Sequence, residues 1–208
     1  MGGTSVCFDL GGVLVRIRGT WRLAAAKAGV EPQCPSGRLE ELGGFAAFEA
    51  FQGGELTLET YLPSLAAHLG LKGVEEARRV HHAILAEPYP GTEELIAELH
   101  AHDVRTLCLS NTNAPHWDRM CGPEFPGIAA LRHKFASHEL KLQKPDLAIY
   151  EALERAAGLA PHEVVFFEDG PANIQGARAR GWRAHLIDPH GDPAAQMREH
   201  LCREGVLG

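Results

Sequence analysis

The stretch "VCFDLGGVLV", residues 6–15, sets an apolar run around a single carboxylate, Asp9, and turns on Gly11 and Gly12. Residues 4–9 are few, β-favouring and stopped by the glycine pair, which reads as a short buried strand rather than a helix. By itself, an Asp beside glycines at a strand end is also how many strands simply terminate. The rest of the chain has to decide whether Asp9 reacts.

Outward from this strand, the second half of the chain keeps one rhythm. In "YPGTEELIAELHAHDVRTLCLSNTN", Thr92 is placed to cap a helix with Glu93 and Glu94 in its positive first turn. Leu95, Ile96 and Leu99 form one apolar face, and Val104–Leu109 reads as a buried strand ending in Ser110-Asn111. "KPDLAIYEALERAAG" repeats the pattern, with Pro145 at a helix start, Asp146 in its first turn and Gly158 at its stop. "EVVFFEDG" is a four-residue apolar strand running into Glu168-Asp169, "ANIQGARARG" a helix ending at Gly181, and "WRAHLI" a last strand. Strands alternating with helices of about ten residues predict a doubly wound, Rossmann-like parallel sheet with helices on both faces.

Residues 16–87 break the rhythm. Four helical patterns follow one another with no strand between them, punctuated by Gly19, Gly43-Gly44 and Gly53-Gly54. The expectation is a core built from residues 1–15 and 88–208, with a helical cap over 16–87 inserted after the first strand. Composition excludes several classes. The net charge is −7 from 20 Lys+Arg and 27 Asp+Glu, with no basic run, which argues against a nucleic-acid surface. No run reaches membrane-spanning length, and "MGGTSVCFDL" has no leader pattern. The five cysteines fit neither a zinc spacing nor a complete disulfide framework, so reduced thiols and a cytoplasmic protein are expected, with Cys7 and Cys108 as core residues.

Three strands therefore end in polar groups: Asp9, Ser110-Asn111 and Glu168-Asp169. In an open parallel sheet, ligands bind at the carboxyl ends of strands. If the three strands are neighbours, one pocket collects two or three carboxylates, a hydroxyl and backbone N–H groups, with Lys144 in reach. Carboxylates with a backbone carbonyl suit Mg²⁺, and a lysine with a hydroxyl suits a phosphoryl group. Two adjacent acids at the end of an apolar strand are costly without a cation.

In order and spacing, "FDLGGVLV", "LSNTN", "KLQKPD" and "VFFEDGPANIQGA" resemble the four motifs of the haloacid dehalogenase-like (HAD) hydrolase superfamily. Residues 5–15 and 88–187 carry the match, and residues 16–87 look like its helical cap. Within the superfamily, these motifs and "FQGGELTLETY" look most like the α-D-glucose-1-phosphate phosphatase branch. The resemblance implies a Mg²⁺-dependent phosphomonoester hydrolase acting on a small phosphorylated metabolite, such as a sugar 1-phosphate. It makes Asp9 the nucleophile that forms an aspartyl-phosphate. Ser110 and the Asn111 backbone N–H would hold the phosphoryl oxygens, with Lys144 neutralising the shared charge. Asp9, the Gly11 carbonyl and Asp169 would hold the metal, Glu168 through a water, and Asn173 would support them or a strand-end loop.

Most phosphatases of the superfamily carry an acid two residues after the nucleophile. Gly11 stands there and cannot shuttle a proton, help typically worth about 10²–10⁴ in rate. A good leaving group such as an anomeric oxygen, a proton from elsewhere in the site, or binding without turnover are the open readings. A 2-haloacid dehalogenase is the alternative enzyme, although its relatives need no metal. The pair His81-His82 diverges by about 100° on a helix and cannot share a metal, so both are expected to be ordinary helix residues. Trp21, Arg22 and Trp117 are expected to pack rather than line the pocket, and Arg16 and Arg18 lie near the hinge into the cap.

Overall fold

A computed structural model describes residues 3–208, so the first two residues of the expected core lie outside it. Strand β1 (Ser5–Phe8) is followed by a short hinge strand, β2 (Val15–Ile17). Four helices come next: α1 (Trp21–Ala28), α2 (Ala46–Gln52), α3 (Leu58–Leu69) and α4 (Val74–His82). The chain returns through β3 (Leu85–Pro88), then α5 (Thr92–Ala101) and β4 (Arg105–Ser110). The remainder is α6 (Ala114–Met120), α7 (Pro126–Ala130), β5 (His133–Ala136), α8 (Ser137–Leu140), α9 (Leu147–Ala157), β6 (Val164–Glu168), α10 (Pro171–Arg180), β7 (Arg183–Leu186) and α11 (Pro193–Arg203).

The main sheet is parallel, in the order β5-β4-β1-β6-β7. Alternation along each central strand sends side chains to two buried faces. Val6, Phe8, Val165 and Phe167 join the apolar cluster that includes Leu95, Leu99, Met197 and Leu201 on one face. Cys7, Leu107, Leu109, Val164 and Phe166 join Ile149, Leu153 and Ala177 on the other. Both faces being covered explains why these strands read as nearly continuous apolar runs. Cys7 and Cys108 are buried and unpaired, as expected of small core residues. No helix among the described residues is long and apolar enough to cross a membrane.

Helices α1–α4 gather around a separate apolar cluster containing Trp21, Phe48, Tyr61, Leu65 and Val80. No strand separates these four helices, as expected, but two short strands that the sequence did not show flank them. β2 and β3 pair antiparallel, Ile17 opposite Leu85 and Val15 opposite Pro88, where the chain enters and leaves the block. Strands of three and four residues carry too little pattern to read, and pairing with a segment 70 residues away defines them. Arg18 reinforces the junction by donating from Nη1 to the carbonyls of Ala83 and Leu85, each at 2.8 Å. Thr92 is likewise not a cap but the first residue of α5. Gly91 occupies the cap position, and the Thr92 hydroxyl donates to the Tyr89 carbonyl at 2.8 Å.

Candidate active site

The sheet order makes β1, β4 and β6 neighbours, so their carboxyl ends share one edge. Asp9 follows β1 directly, and its backbone N–H donates to the Phe167 carbonyl at 2.8 Å. Ser110 ends β4, and Glu168 ends β6 with Asp169 next. Carboxylate oxygens of Asp9, Glu168 and Asp169 all lie within 4.8 Å of one another.

Lys144 ties the acids together. Its buried ammonium donates to Glu168 Oε2 at 2.6 Å and stands 3.0 Å from Asp9 Oδ1. The approach to Asp9 is at ion-pair distance but lacks hydrogen-bond alignment, leaving that buried oxygen without a donor. Burial alone would lower the lysine's pKa, but Asp9 and Glu168 outweigh it and hold the ammonium charged well above its ordinary range. Burial would raise Glu168, but the lysine and the Gly170 N–H keep it below the usual carboxylate range. Burial, partly offset by Lys144 and reinforced by Glu168, pushes Asp9 up to about 6. Burial and then repulsion from Asp9 and Glu168 push Asp169 up to about 8. Lys144 is the one cation among the groups acting on these three acids, and a neighbouring cation is what favours their charged forms. The donor set of hard oxygens, the acceptor lacking a donor and the strained Asp169 all fit a divalent cation.

The other predicted residues surround this cluster. Asn111 clamps Lys144 with its side chain: Nδ2 donates to the Lys144 carbonyl and Oδ1 accepts the Lys144 N–H, both at 2.9 Å. Glu168 spends both oxygens on protein donors, Lys144 Nζ and the Gly170 N–H at 2.8 Å. Asn173 lies beside Glu168 and helps hold its charge, while its carbonyl accepts the Tyr150 hydroxyl at 2.8 Å. Asp146 caps α9 by accepting the Ala148 N–H. Gly12, read in the sequence only as part of a strand stop, also makes room for Asp169. Its φ is +78°, and a Cβ there would lie 2.1 Å from Asp169 Oδ2, so only glycine permits this approach. A Cβ on Gly11 would meet only the Ile17 side chain, Cγ2 at 3.4 Å and Cδ1 at 3.8 Å.

A cavity of about 640 Å³ opens beside Ser110, Asn111 and Lys144. Ile17, Leu42, Phe48, Ile84 and Met120 give it an apolar wall, and Glu49, Gln52, Gln143 and Asp146 a polar one. His116 also lines it. His81, expected to be an ordinary helix residue, is fully buried and stacks on His116 at 4.1 Å. One tautomer set satisfies every ring nitrogen. The Tyr61 hydroxyl donates to His81 Nδ1 and His81 Nε2 donates to Asn113 Oδ1. Asn113 Nδ2 donates to His116 Nδ1, and His116 Nε2 donates to the His81 carbonyl. This chain joins α3 and α4 to the segment after β4, and only residue pairs far apart in sequence reveal it. Trp21 and Trp117 pack in the interior as expected, and Arg22 pairs with Glu40 on the surface. Arg16 stacks on Tyr89, 4.5 Å from its ring centre, in a further cavity that Asp169 lines.

A doubly wound parallel sheet with a lysine-linked acid cluster at its carboxyl edge, where β1, β4 and β6 end, is the architecture of an α/β enzyme. The chain belongs to the haloacid dehalogenase-like hydrolases, whose family profile matches residues 4–181. It is a hydrolase of that family. Phosphatase MT3486 of Mycobacterium tuberculosis (strain CDC 1551 / Oshkosh) is 27% identical over 153 residues, covering 71% of this chain and 67% of that protein. Sesquiterpene phosphatase astK of Aspergillus oryzae (strain ATCC 42149 / RIB 40) is 27% identical over 188 residues, 87% of this chain and 88% of its own. In fold, the chain matches the HAD family enzyme bt-2542 of Bacteroides thetaiotaomicron in its magnesium complex. The TM-score is 0.79 at 23% identity, covering 95% of this chain and 100% of that one. The same enzyme is also known in complex with magnesium and inorganic phosphate.

Proposed function

We propose that the protein is a Mg²⁺-dependent phosphomonoester hydrolase that works through an aspartyl-phosphate on Asp9, with a sugar 1-phosphate as the favoured substrate. The observation that carries this is the buried Asp9 carboxylate, with Oδ1 3.0 Å from a lysine that stays charged. On this reading residues 1–15 and 88–208 form the catalytic core and 16–87 its cap. The phosphatase names of two relatives and the magnesium and phosphate bound by a structural neighbour support it.

Asp9 and Asp169, with the Gly11 carbonyl, would hold Mg²⁺, which when bound supplies positive charge against the carboxylates and the phosphoryl oxygens. Ser110 and the Asn111 N–H hold the phosphoryl group. A carboxylate oxygen of Asp9 bonds to phosphorus as the ester P–O bond breaks, and the alcohol oxygen leaves with that electron pair. Water then attacks the phosphorus, the P–O bond to Asp9 breaks to release phosphate and restore the carboxylate, and the proton the water loses balances the one the departed oxygen takes from solvent. Lys144 neutralises charge at Asp9 throughout, and Glu168 with Asn111 keeps it aimed there. His116 is no substitute for the missing acid at Gly11, because its only ring N–H is spent on the His81 carbonyl and burial pushes its pKa down to about 4. A leaving oxygen of low basicity, such as an anomeric one, needs no such acid.

The polar wall of the cavity suits sugar hydroxyls, while Ile17, Leu42, Phe48, Ile84 and Met120 favour a second reading, a phosphorylated apolar alcohol. A panel of glucose 1-phosphate, glucose 6-phosphate, farnesyl phosphate and L-2-chloropropionate, run with Mg²⁺ or EDTA, separates them. The expected result is Mg²⁺-dependent turnover, at least tenfold faster on the 1-phosphate than on the 6-phosphate, lost in Asp9→Asn. Equal rates on the two glucose phosphates refute the leaving-group argument. Activity surviving in Asp9→Asn refutes the mechanism, and EDTA-resistant dehalogenation refutes the phosphatase reading.

A further inference from the structure

The hinge strand β3 borders a second cavity, of about 740 Å³, that none of Asp9, Ser110, Lys144 or Asp169 lines. Five cations converge on it: Arg18 beside the hinge, Lys27 on α1, Arg78 and Arg79 on α4, and Arg119 on α6. His82 is a sixth basic group, and Glu87 and Glu124 are the only acids in its lining. A quarter of the chain's 20 Lys+Arg thus surround one cavity in a protein of net charge −7. These cations are spread along the chain from residue 18 to residue 119, which is why no basic run betrays the site.

Packing fixes part of this charge and leaves part available. Arg18 is held by the Ala83 and Leu85 carbonyls. Arg119 is held by two hydrogen bonds to Glu124 Oε2 and one from Nη1 to the His82 carbonyl. Arg78 and Arg79 stand 3.7 and 3.9 Å from Glu75 and Glu76 without a hydrogen bond to either, and both are largely exposed. Such pairs are weak, so their N–H groups remain free for a ligand. Lys27 has no ion pair or side-chain hydrogen bond among the described residues. The C-terminal dipole of α4 accounts for basic residues on its last turn, but not for Arg18, Lys27 and Arg119 arriving from three other elements. A cleft lined by one sign of charge focuses the field and gathers counter-ions, and arginine forks match phosphate oxygens two at a time.

We propose that this cavity binds a small polyphosphate-bearing anion and that the ligand bridges α1 and α4 to α6 across the hinge. Leu85 lines both this cavity and the catalytic one, so an occupant here bears on the wall that substrate contacts. The binding claim stands apart from the phosphatase reading and is tested without catalysis.

The probes are inorganic triphosphate and inorganic phosphate, titrated calorimetrically into the full chain in EDTA. Triphosphate is expected to bind at least tenfold more tightly than phosphate. Arg78→Gln and Arg79→Gln are each expected to weaken triphosphate by about tenfold, the scale of one lost charge-assisted hydrogen bond, while Arg155→Gln on α9 leaves it unchanged. Burial, Arg78 and Arg119 hold the His82 imidazole below its ordinary range, so its NMR titration is expected to move upward when triphosphate is present. Affinity unchanged in both arginine variants, or lost in Ser110→Ala instead, puts the anion in the catalytic cavity and overturns the proposal. So do equal affinities for phosphate and triphosphate, no binding at millimolar concentration, or tighter binding of a short oligonucleotide.

Discussion

Removing an acid from the reaction centre is expected to stabilise the protein as long as Mg²⁺ is absent. Asp169 lies within 4.8 Å of both Asp9 and Glu168. Two like charges at that separation repel by about 3 kcal/mol at an effective dielectric of about 20. Lys144 offsets roughly one of the two repulsions, so Asp169→Asn, which keeps the shape, is expected to gain about 3 kcal/mol in EDTA at pH 8 or above. For a chain of this size that is about 5–10 °C in Tm. The folded pKa of Asp169, about 8, is above its unfolded value. The stability linked to its proton is therefore complete below about pH 4 and lost as pH rises toward 8. The advantage of the neutral variant must grow over the same window. Saturating Mg²⁺ reverses the order, because metal at 1,000 times its Kd adds about 4.1 kcal/mol to the wild type and little to the variant. Thermal melts of both proteins at pH 5 and 8, in EDTA and in Mg²⁺, give the crossing. A variant less stable than wild type in EDTA at pH 8 would refute the claim that the acids are held together against their repulsion.

Gly12→Ala places a methyl where Asp169 Oδ2 sits, so the Mg²⁺ concentration for half-maximal activity is expected to rise at least tenfold. A normal Mg²⁺ profile would show that the loop yields instead. Gly11→Asp meets only Ile17 and is expected to speed sugar 6-phosphates by about 10–100-fold while leaving 1-phosphates nearly unchanged; equal effects on both would count against the missing-acid argument. His116 is buried with its pKa pushed down to about 4, so stability is expected to fall by about 3 kcal/mol as pH drops from about 6.5 to 4. Urea titrations should show a shallower fall in His116→Gln, and an identical slope would clear this histidine. Glu154 takes three hydrogen bonds from Arg180 and one from Trp182 Nε1. Its replacement by Ala is expected to lower stability by about 2–4 kcal/mol with kcat intact, and an unchanged melting curve would contradict that.

What the sequence made legible tracks where the information is local. The central strands were readable because burial on both faces forces apolar runs, and glycines mark their ends. β5, "HKFA", was not: an edge strand that is partly exposed needs no such run, and its pairing with β4 makes it a strand. α11 offered only Pro193, Met197 and Leu201 as buried residues, a spacing of four with Asp192 as its cap, and that signal was available. At the site, Asp9, Ser110 and Asp169 were legible as polar residues ending strands. The Asn111 clamp joins residues 33 apart, and the His81–Asn113–His116 chain joins two segments whose own patterns say only helix.

Glu168 shows how the structure turns an apparent irregularity into a requirement. The family resemblance implied that Glu168 is a water-linked metal acid. In the fold its two oxygens face different donors, Lys144 Nζ on one side and the Gly170 N–H on the other. An aspartate, one methylene shorter on the same backbone, would have to give up one of them, and a buried donor left without a partner costs about 1–3 kcal/mol. The longer side chain thus meets both donors at once and, through Lys144 Nζ, helps fix the ammonium 3.0 Å from Asp9.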